Sequence, residues 1–104
     1  MSLKITEEVL EIMYLIEKDP SLSQRQIAQK VGLSLGKINY CIMSLVDIGY
    51  VKVKNFTNSN SKKNYMYILT PMGILQKTKI TQNFIARKKA EYDILVSYLN
   101  ENIT

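Results

Sequence analysis

Residues 34–48, SLGKINYCIMSLVDI, decide how the rest of the chain is read. Leu35, Ile38, Ile42, Leu45 and Val46 recur in steps of three and four, which at about 3.6 residues per turn gathers them on one side of a helix. That side is the expected core face. Half a turn away stand Gly36, Tyr40, Met43 and Asp47, flanked by Lys37 and Asn39, a mixture that neither packing nor plain hydration calls for. Ser34 is suited to accept from the amides of the first turn, and Gly49 to supply the left-handed residue that ends the helix. A short rod with two contrasting faces is therefore bounded at both ends.

Upstream, Gly32-Leu33-Ser34 joins this rod to a helix that starts at Ser23, with Gln26 three residues on in the capping-box pattern and Ile27, Ala28 and Val31 as a short buried stripe. Two helices with so brief a connection, Leu33 tucked between them, form a helix-turn-helix. Further upstream Thr6 caps a helix from about Glu7 to Lys18, whose two leading glutamates suit its positive end. Its Val9, Leu10, Ile12, Met13, Leu15 and Ile16 make a broad apolar face, and Asp19-Pro20 stops it.

Downstream of Gly49 the period changes to two. Tyr50 to Lys54 reads as a strand with lysines on one face, and Tyr65 to Leu69 as its partner across the polar stretch Asn55 to Asn64. Thr70-Pro71 then opens a last helix with an N-cap and a proline at its first position. The fold class expected is mainly α with a small β-hairpin: a winged helix-turn-helix over residues 4–70, built as a three-helix core plus a two-stranded wing, followed by a long C-terminal helix over 71–104.

That last helix runs to about Leu99, on the order of 40 Å at about 1.5 Å per residue, which overshoots so small a domain. Phe84, Ile85, Tyr92, Leu95, Val96 and Leu99 keep helical spacing along it. A second copy covering that stripe gives a homodimer held by the C-terminal helices. The other reading is a break near Ile80, with the remainder folding back on its own domain.

Composition sets the bounds. The 104 residues carry a net charge of +5, contain no histidine and have a single cysteine. An internal disulfide, a Cys/His zinc site and histidine catalysis are excluded, so no metal and no cofactor is expected, and no acid/base pair or partnered nucleophile marks an enzyme. No apolar run reaches the roughly 18 residues of a membrane span, and the start lacks the layout of a signal peptide; a cytoplasmic location and no membrane partner are expected. Residues 1–22 set two lysines against five acids, whereas residues 23–70 set seven basic residues against Asp47 alone. The helix-turn-helix and hairpin thus carry the basic character, which favours an anionic partner.

Double-stranded DNA fits that partner. On the outward face of the 34–48 helix, Leu35, Gly36, Lys37, Asn39, Tyr40 and Met43 are the candidate base readers. Lys37 suits guanine acceptors or a phosphate, Asn39 an adenine edge, and Tyr40 and Met43 a thymine methyl or the sugar backbone. Gly36 either lets the backbone approach the groove floor or permits close packing by a neighbouring helix. Ser23, Gln24, Arg25, Ser34 and Lys54 are candidate phosphate contacts, the two serines being caps first. Lys52 and Lys54 also suit the wet face of an edge strand. Asn58, Asn60, Lys62 and Lys63 are candidate wing contacts to phosphate or the minor groove.

Taken together, SQRQIAQKVGLSLGKINYCIMSLVDIGYVKVKNF, NSNSKKNYMYILTPMGI and TQNFIARKKAEYDIL resemble the MarR-type winged-helix regulators associated with exopolysaccharide gene clusters, over about residues 5–98. The resemblance implies a bacterial, dimeric, DNA-binding transcription factor acting on polysaccharide genes; neither charge nor periodicity speaks to the polysaccharide. A winged-helix protein-interaction module without DNA binding is the alternative. Cys41, on the flank of the core side, reads as a small apolar group before it reads as a redox sensor. Tyr65, Tyr67, Tyr92 and Tyr98 read as packing residues before they read as the lining of an effector cleft, and an effector is not identified.

Overall fold

The computed structural model describes residues 3–57 and 63–103, with side chains over 3–55 and 65–101. Its elements follow in the order α1 (Glu7–Lys18), α2 (Gln24–Val31), α3 (Leu35–Asp47), β1 (Val51–Thr57), β2 (Lys63–Leu69) and α4 (Pro71–Ile103). This is the winged helix-turn-helix with a long C-terminal helix.

Each of the first three helices begins where a hydroxyl caps it. Thr6 Oγ1 accepts from the amide of Val9, Ser23 Oγ from that of Gln26 and Ser34 Oγ from that of Lys37. At α2 the box is reciprocal, with Gln26 Oε1 accepting from the Ser23 amide at 2.8 Å. Gly32 (φ 80°) ends α2 and Gly49 (φ 84°) follows α3, both in the left-handed region that glycine enters at little cost. Asp19 braces the α1–α2 turn by accepting from the Ser21 hydroxyl at 2.6 Å and its amide at 3.1 Å. These two bonds hold its carboxyl below the usual range.

The apolar faces of the three helices meet in one core. Ile12, Met13 and Ile16 of α1, Ile27 of α2, and Ile38, Ile42 and Leu45 of α3 are essentially inaccessible to water. Val51, Tyr67 and Leu69 close it from the hairpin. Val31, expected in the buried stripe of α2, is only half-buried at the margin of the core.

β1 and β2 pair antiparallel, Val51 opposite Leu69 and Val53 opposite Tyr67, continuing to Thr57 opposite Lys63. Against the Tyr50–Lys54 and Tyr65–Leu69 read from the sequence, β1 starts one residue later, leaving Tyr50 outside it, and runs on past Lys54, while β2 starts earlier, at Lys63. Once register is set near the core, every second residue pair further out closes backbone bonds without needing an apolar side chain, so the alternation fades before the ladder does. Lys52 and Lys54 are exposed on the outer face.

α4 is one unbroken helix of 33 residues, which rules out the break at Ile80. Its first half lies antiparallel to α1, tied by Lys77–Glu17 at 2.7 Å and Lys88–Glu7 at 2.6 Å. Beyond residue 88 it projects away. The radius of gyration is 17.8 Å, against about 13 Å for a compact chain of this length.

The start of α4 is locked to the end of α3. Thr70 Oγ1 donates to the Gly49 carbonyl at 2.6 Å and accepts from the Gly73 amide at 3.0 Å, while its own amide donates to the Tyr50 carbonyl at 3.0 Å. Gly73 sits against that same peptide: a Cβ there would stand 2.1 Å from the Tyr50 carbonyl oxygen. Only glycine fits.

Candidate nucleic-acid interface

α3 presents its two faces as the sequence implied, rotated slightly about its axis. The residues it buries are Ile38, Cys41, Ile42 and Leu45, so the inward direction lies nearer Cys41 than the sequence stripe suggested. At about 100° per residue, Leu35 and Val46 then fall on the edge of the stripe. Val46 is half-buried and Leu35 is 43% exposed. Leu35 is therefore not a core residue. It joins Gly36, Lys37, Asn39, Tyr40 and Met43, all exposed among the described residues.

Gly36 has open space around it: a Cβ would meet nothing within 4 Å. Close packing by a neighbouring helix of the same chain is thus not what the glycine provides. Asn39 is braced. Its Nδ2 donates to Gln24 Oε1 at 3.2 Å, and Gln24 Nε2 donates to the Tyr67 hydroxyl at 3.0 Å. This chain of three side chains ties α3, α2 and β2 together and orients the Asn39 amide, leaving its Oδ1 and second N–H for a ligand. The Gln24 amide, a candidate phosphate contact, is committed at both ends to this brace. No local sequence pattern marks it, although a tyrosine on the inward face of a strand needs a partner for its hydroxyl.

Around this centre lie groups suited to phosphate. Arg25 is exposed in the first turn of α2 and Lys54 on β1, and the Ser23 and Ser34 hydroxyls are engaged as caps. The charge of Lys37 reaches Glu8 of α1, whose carboxyl is held below its ordinary value mainly by its own backbone amide and the Thr6 hydroxyl, and to a smaller degree by Lys37. Asn58, Asn60 and Lys62 lie outside the described residues, as does the Lys63 side chain.

This frame has known counterparts. Residues 9–52 match the winged helix-turn-helix DNA-binding family. The match spans α1 to the start of β1, including every candidate base reader. No curated protein sequence matches the chain. Among solved structures, a PadR-like transcriptional regulator from Bacillus cereus superposes with a TM-score of 0.72 at 18% identity, over 86% of this chain and 93% of its own. A MarR/EmrR family transcriptional regulator from Acinetobacter gives 0.61 at 19% identity, over 95% of this chain and 76% of its own. FabT of Streptococcus pneumoniae, solved in complex with DNA, gives 0.59 at 18% identity over 86% of this chain, which spans 62% of that protein. At such identities the likeness is one of fold, a winged helix followed by a helical arm.

The remaining candidates divide cleanly. Cys41 is buried at 3% exposure, and burial pushes its thiol above the ordinary range, against a smaller opposing pull from Lys37. Redox-sensing thiols are accessible and shifted down, so its place is in the core. The four tyrosines do not share a cleft: Tyr67 is buried against the core, Tyr65 is exposed on β2, and Tyr92 and Tyr98 lie exposed on the projecting half of α4. Of the expected dimer stripe, Ile85, Tyr92, Leu95 and Leu99 are each more than three-fifths exposed, while Phe84 and Val96 are half-buried. Among the described residues no cluster is placed to hold a metal, and no helix is long and apolar enough to cross a membrane.

Proposed function

We propose that this chain is a sequence-specific, double-stranded DNA-binding transcriptional regulator, with residues 4–70 as the DNA-binding unit and 71–104 as a dimerisation element. α3 enters the major groove, Leu35, Gly36, Lys37, Asn39, Tyr40 and Met43 face the base edges, and Arg25, Ser34 and Lys54 hold phosphates alongside. The wing, with Asn58, Asn60, Lys62 and Lys63, reaches phosphate or the minor groove. The target genes, on the resemblance to the exopolysaccharide-associated regulators, are those of exopolysaccharide synthesis.

One observation carries the reading: the outward face of α3 combines an unobstructed glycine, an exposed lysine and a pre-oriented asparagine, and none of the three lies in the core. The match over residues 9–52 supports it, as does a fold neighbour solved in complex with DNA. The test is an electrophoretic shift on the DNA upstream of its own gene and of neighbouring polysaccharide genes, repeated across a salt series. Binding that is lost steeply with salt and outcompeted only by specific sequence is expected. No salt-sensitive shift below tens of micromolar would remove the reading.

A further inference from the structure

The brace beneath the outward face of α3 has a direction. Asn39 Nδ2 donates to Gln24 Oε1, and Gln24 Nε2 donates to the Tyr67 hydroxyl, so both donations run from α3 toward β2. In this polarity Asn39 keeps its Oδ1 and one N–H for a ligand, the acceptor and donor that match N6 and N7 of adenine. Turning both amides by half a revolution keeps the same neighbours and reverses the flow. Tyr67 then donates to Gln24, Gln24 donates to Asn39 Oδ1, and Asn39 presents only N–H groups outward. That edge suits the two acceptors of guanine, O6 and N7. The two polarities need the same space, so the base that Asn39 favours follows from whatever sets the direction.

The direction is decided at Tyr67. Its side chain is 8% exposed, and with its oxygen accepting from Gln24, its own proton has no acceptor among the described residues. In the reverse polarity Gln24 would take up that proton and none would be left over. The observed direction is therefore complete only when an acceptor from outside the chain receives the hydroxyl. Water can accept or donate and so serves either polarity, whereas a phosphate oxygen only accepts, and a hydroxyl bond to an anion is stronger than one to a neutral group. Arg25, next to Gln24 and exposed, adds a charge that draws phosphate. We propose that Tyr67 is a specificity-determining residue, whose hydroxyl donates to a phosphate of bound DNA and thereby fixes the brace in the direction in which Asn39 reads adenine over guanine. This rests on the reading of Asn39 as a base contact, and adds which base it takes and what makes the choice. Tyr67 touches no base; it acts through Gln24.

The experiment uses the full chain and duplexes that it selects from a randomised pool. The base pair at which Asn39→Ala loses an adenine preference is the one assigned to Asn39, and the ratio of affinities for adenine and guanine there is the readout. Tyr67→Phe keeps the ring and removes the hydroxyl; the ratio falls about tenfold, while preferences at other base pairs are retained. Adding Gln24→Glu to Tyr67→Phe restores the ratio, because a carboxylate only accepts and so makes Asn39 donate inward, a rescue that a packing role would not give. Replacing single phosphates by uncharged methylphosphonates lowers the ratio at one position for the unaltered chain and at none for Tyr67→Phe. An unchanged ratio in Tyr67→Phe, an equal loss at every base pair, a failed rescue, or a phosphate scan without effect overturns the proposal. So does a selected site at which Asn39→Ala alters no preference. If the pool yields no preferred sequence at all, the DNA-reading function itself is removed.

Discussion

Replacing Gly36 by alanine should move stability and DNA affinity in opposite directions. Gly36 is the second residue of α3, its φ lies outside the left-handed region, and a Cβ built on it meets no atom within 4 Å. Nothing among the described residues opposes the methyl group. Alanine therefore gains helix propensity, up to about 1 kcal/mol in a helix interior and about half of that in a first turn, which raises Tm by roughly 2 to 8 °C in a domain of this size. In the groove the same methyl would meet the DNA where α3 comes closest, and forcing a methyl into a filled contact costs about 1 to 3 kcal/mol, or roughly 5- to 150-fold in Kd. Scanning calorimetry and a fluorescence-anisotropy titration on the specific site read the two effects on one preparation. A variant that is more stable and binds equally well would refute close approach as the reason for the glycine.

Other expectations follow from the same geometry. Asn39→Ala should cost roughly 1 to 3 kcal/mol at the specific site, and Gln24→Ala should lose much of that discrimination without touching DNA, because it frees the Asn39 amide; equal losses on specific and random DNA in Gln24→Ala would contradict the bracing role. Arg25→Ala should weaken binding to all sequences alike and reduce the slope of log K against log salt by about 1, so a sequence-selective loss would reassign it. The Cys41 thiol, raised by burial from its ordinary 9.0, should react with an aromatic disulfide reagent at pH 8 far more slowly in the folded than in the unfolded chain. Because the unfolded thiol ionises first, folding stability should also decline as pH rises through that ordinary value, and Cys41→Ala should lack this component. Thr70→Val removes the hydroxyl's bond to the Gly49 carbonyl, which joins the end of α3 to the start of α4, and its cap on the Gly73 amide; binding to a two-half-site DNA should fall further than binding to a single half-site, whereas equal losses would make the junction merely stabilising.

The helices were legible because their ends are written locally. Thr6, Ser23 and Ser34 cap from within three residues, Gly32 and Gly49 stop by their own backbone freedom, and the apolar steps between them need no knowledge of a partner. The reach of α4 past the domain was legible for the same reason, since helical spacing continues to Leu99 whatever lies beside it. The strand ends were not, because Asn55 and Thr57 pair through backbone groups that leave no mark on the hydrophobic pattern.

What stayed hidden depends on which elements meet. Leu35 keeps the spacing of a core residue yet lies exposed, because the direction of burial on α3 is set by where α1 and the hairpin happen to press, and they press nearer Cys41. Gly73 carries no local signal either: it sits in the first turn of a helix, and its necessity comes from the Tyr50 carbonyl brought against it by the hairpin's return. The brace from Tyr67 through Gln24 to Asn39 joins residues 43 and 15 positions apart in the chain, so no window on the sequence contains it. Periodicity assigns a side chain to a face; which of the exposed side chains is held still for recognition is decided by neighbours that only the fold supplies. On α3 that distinction singles out Asn39 among its exposed companions, and it is there that sequence discrimination should concentrate.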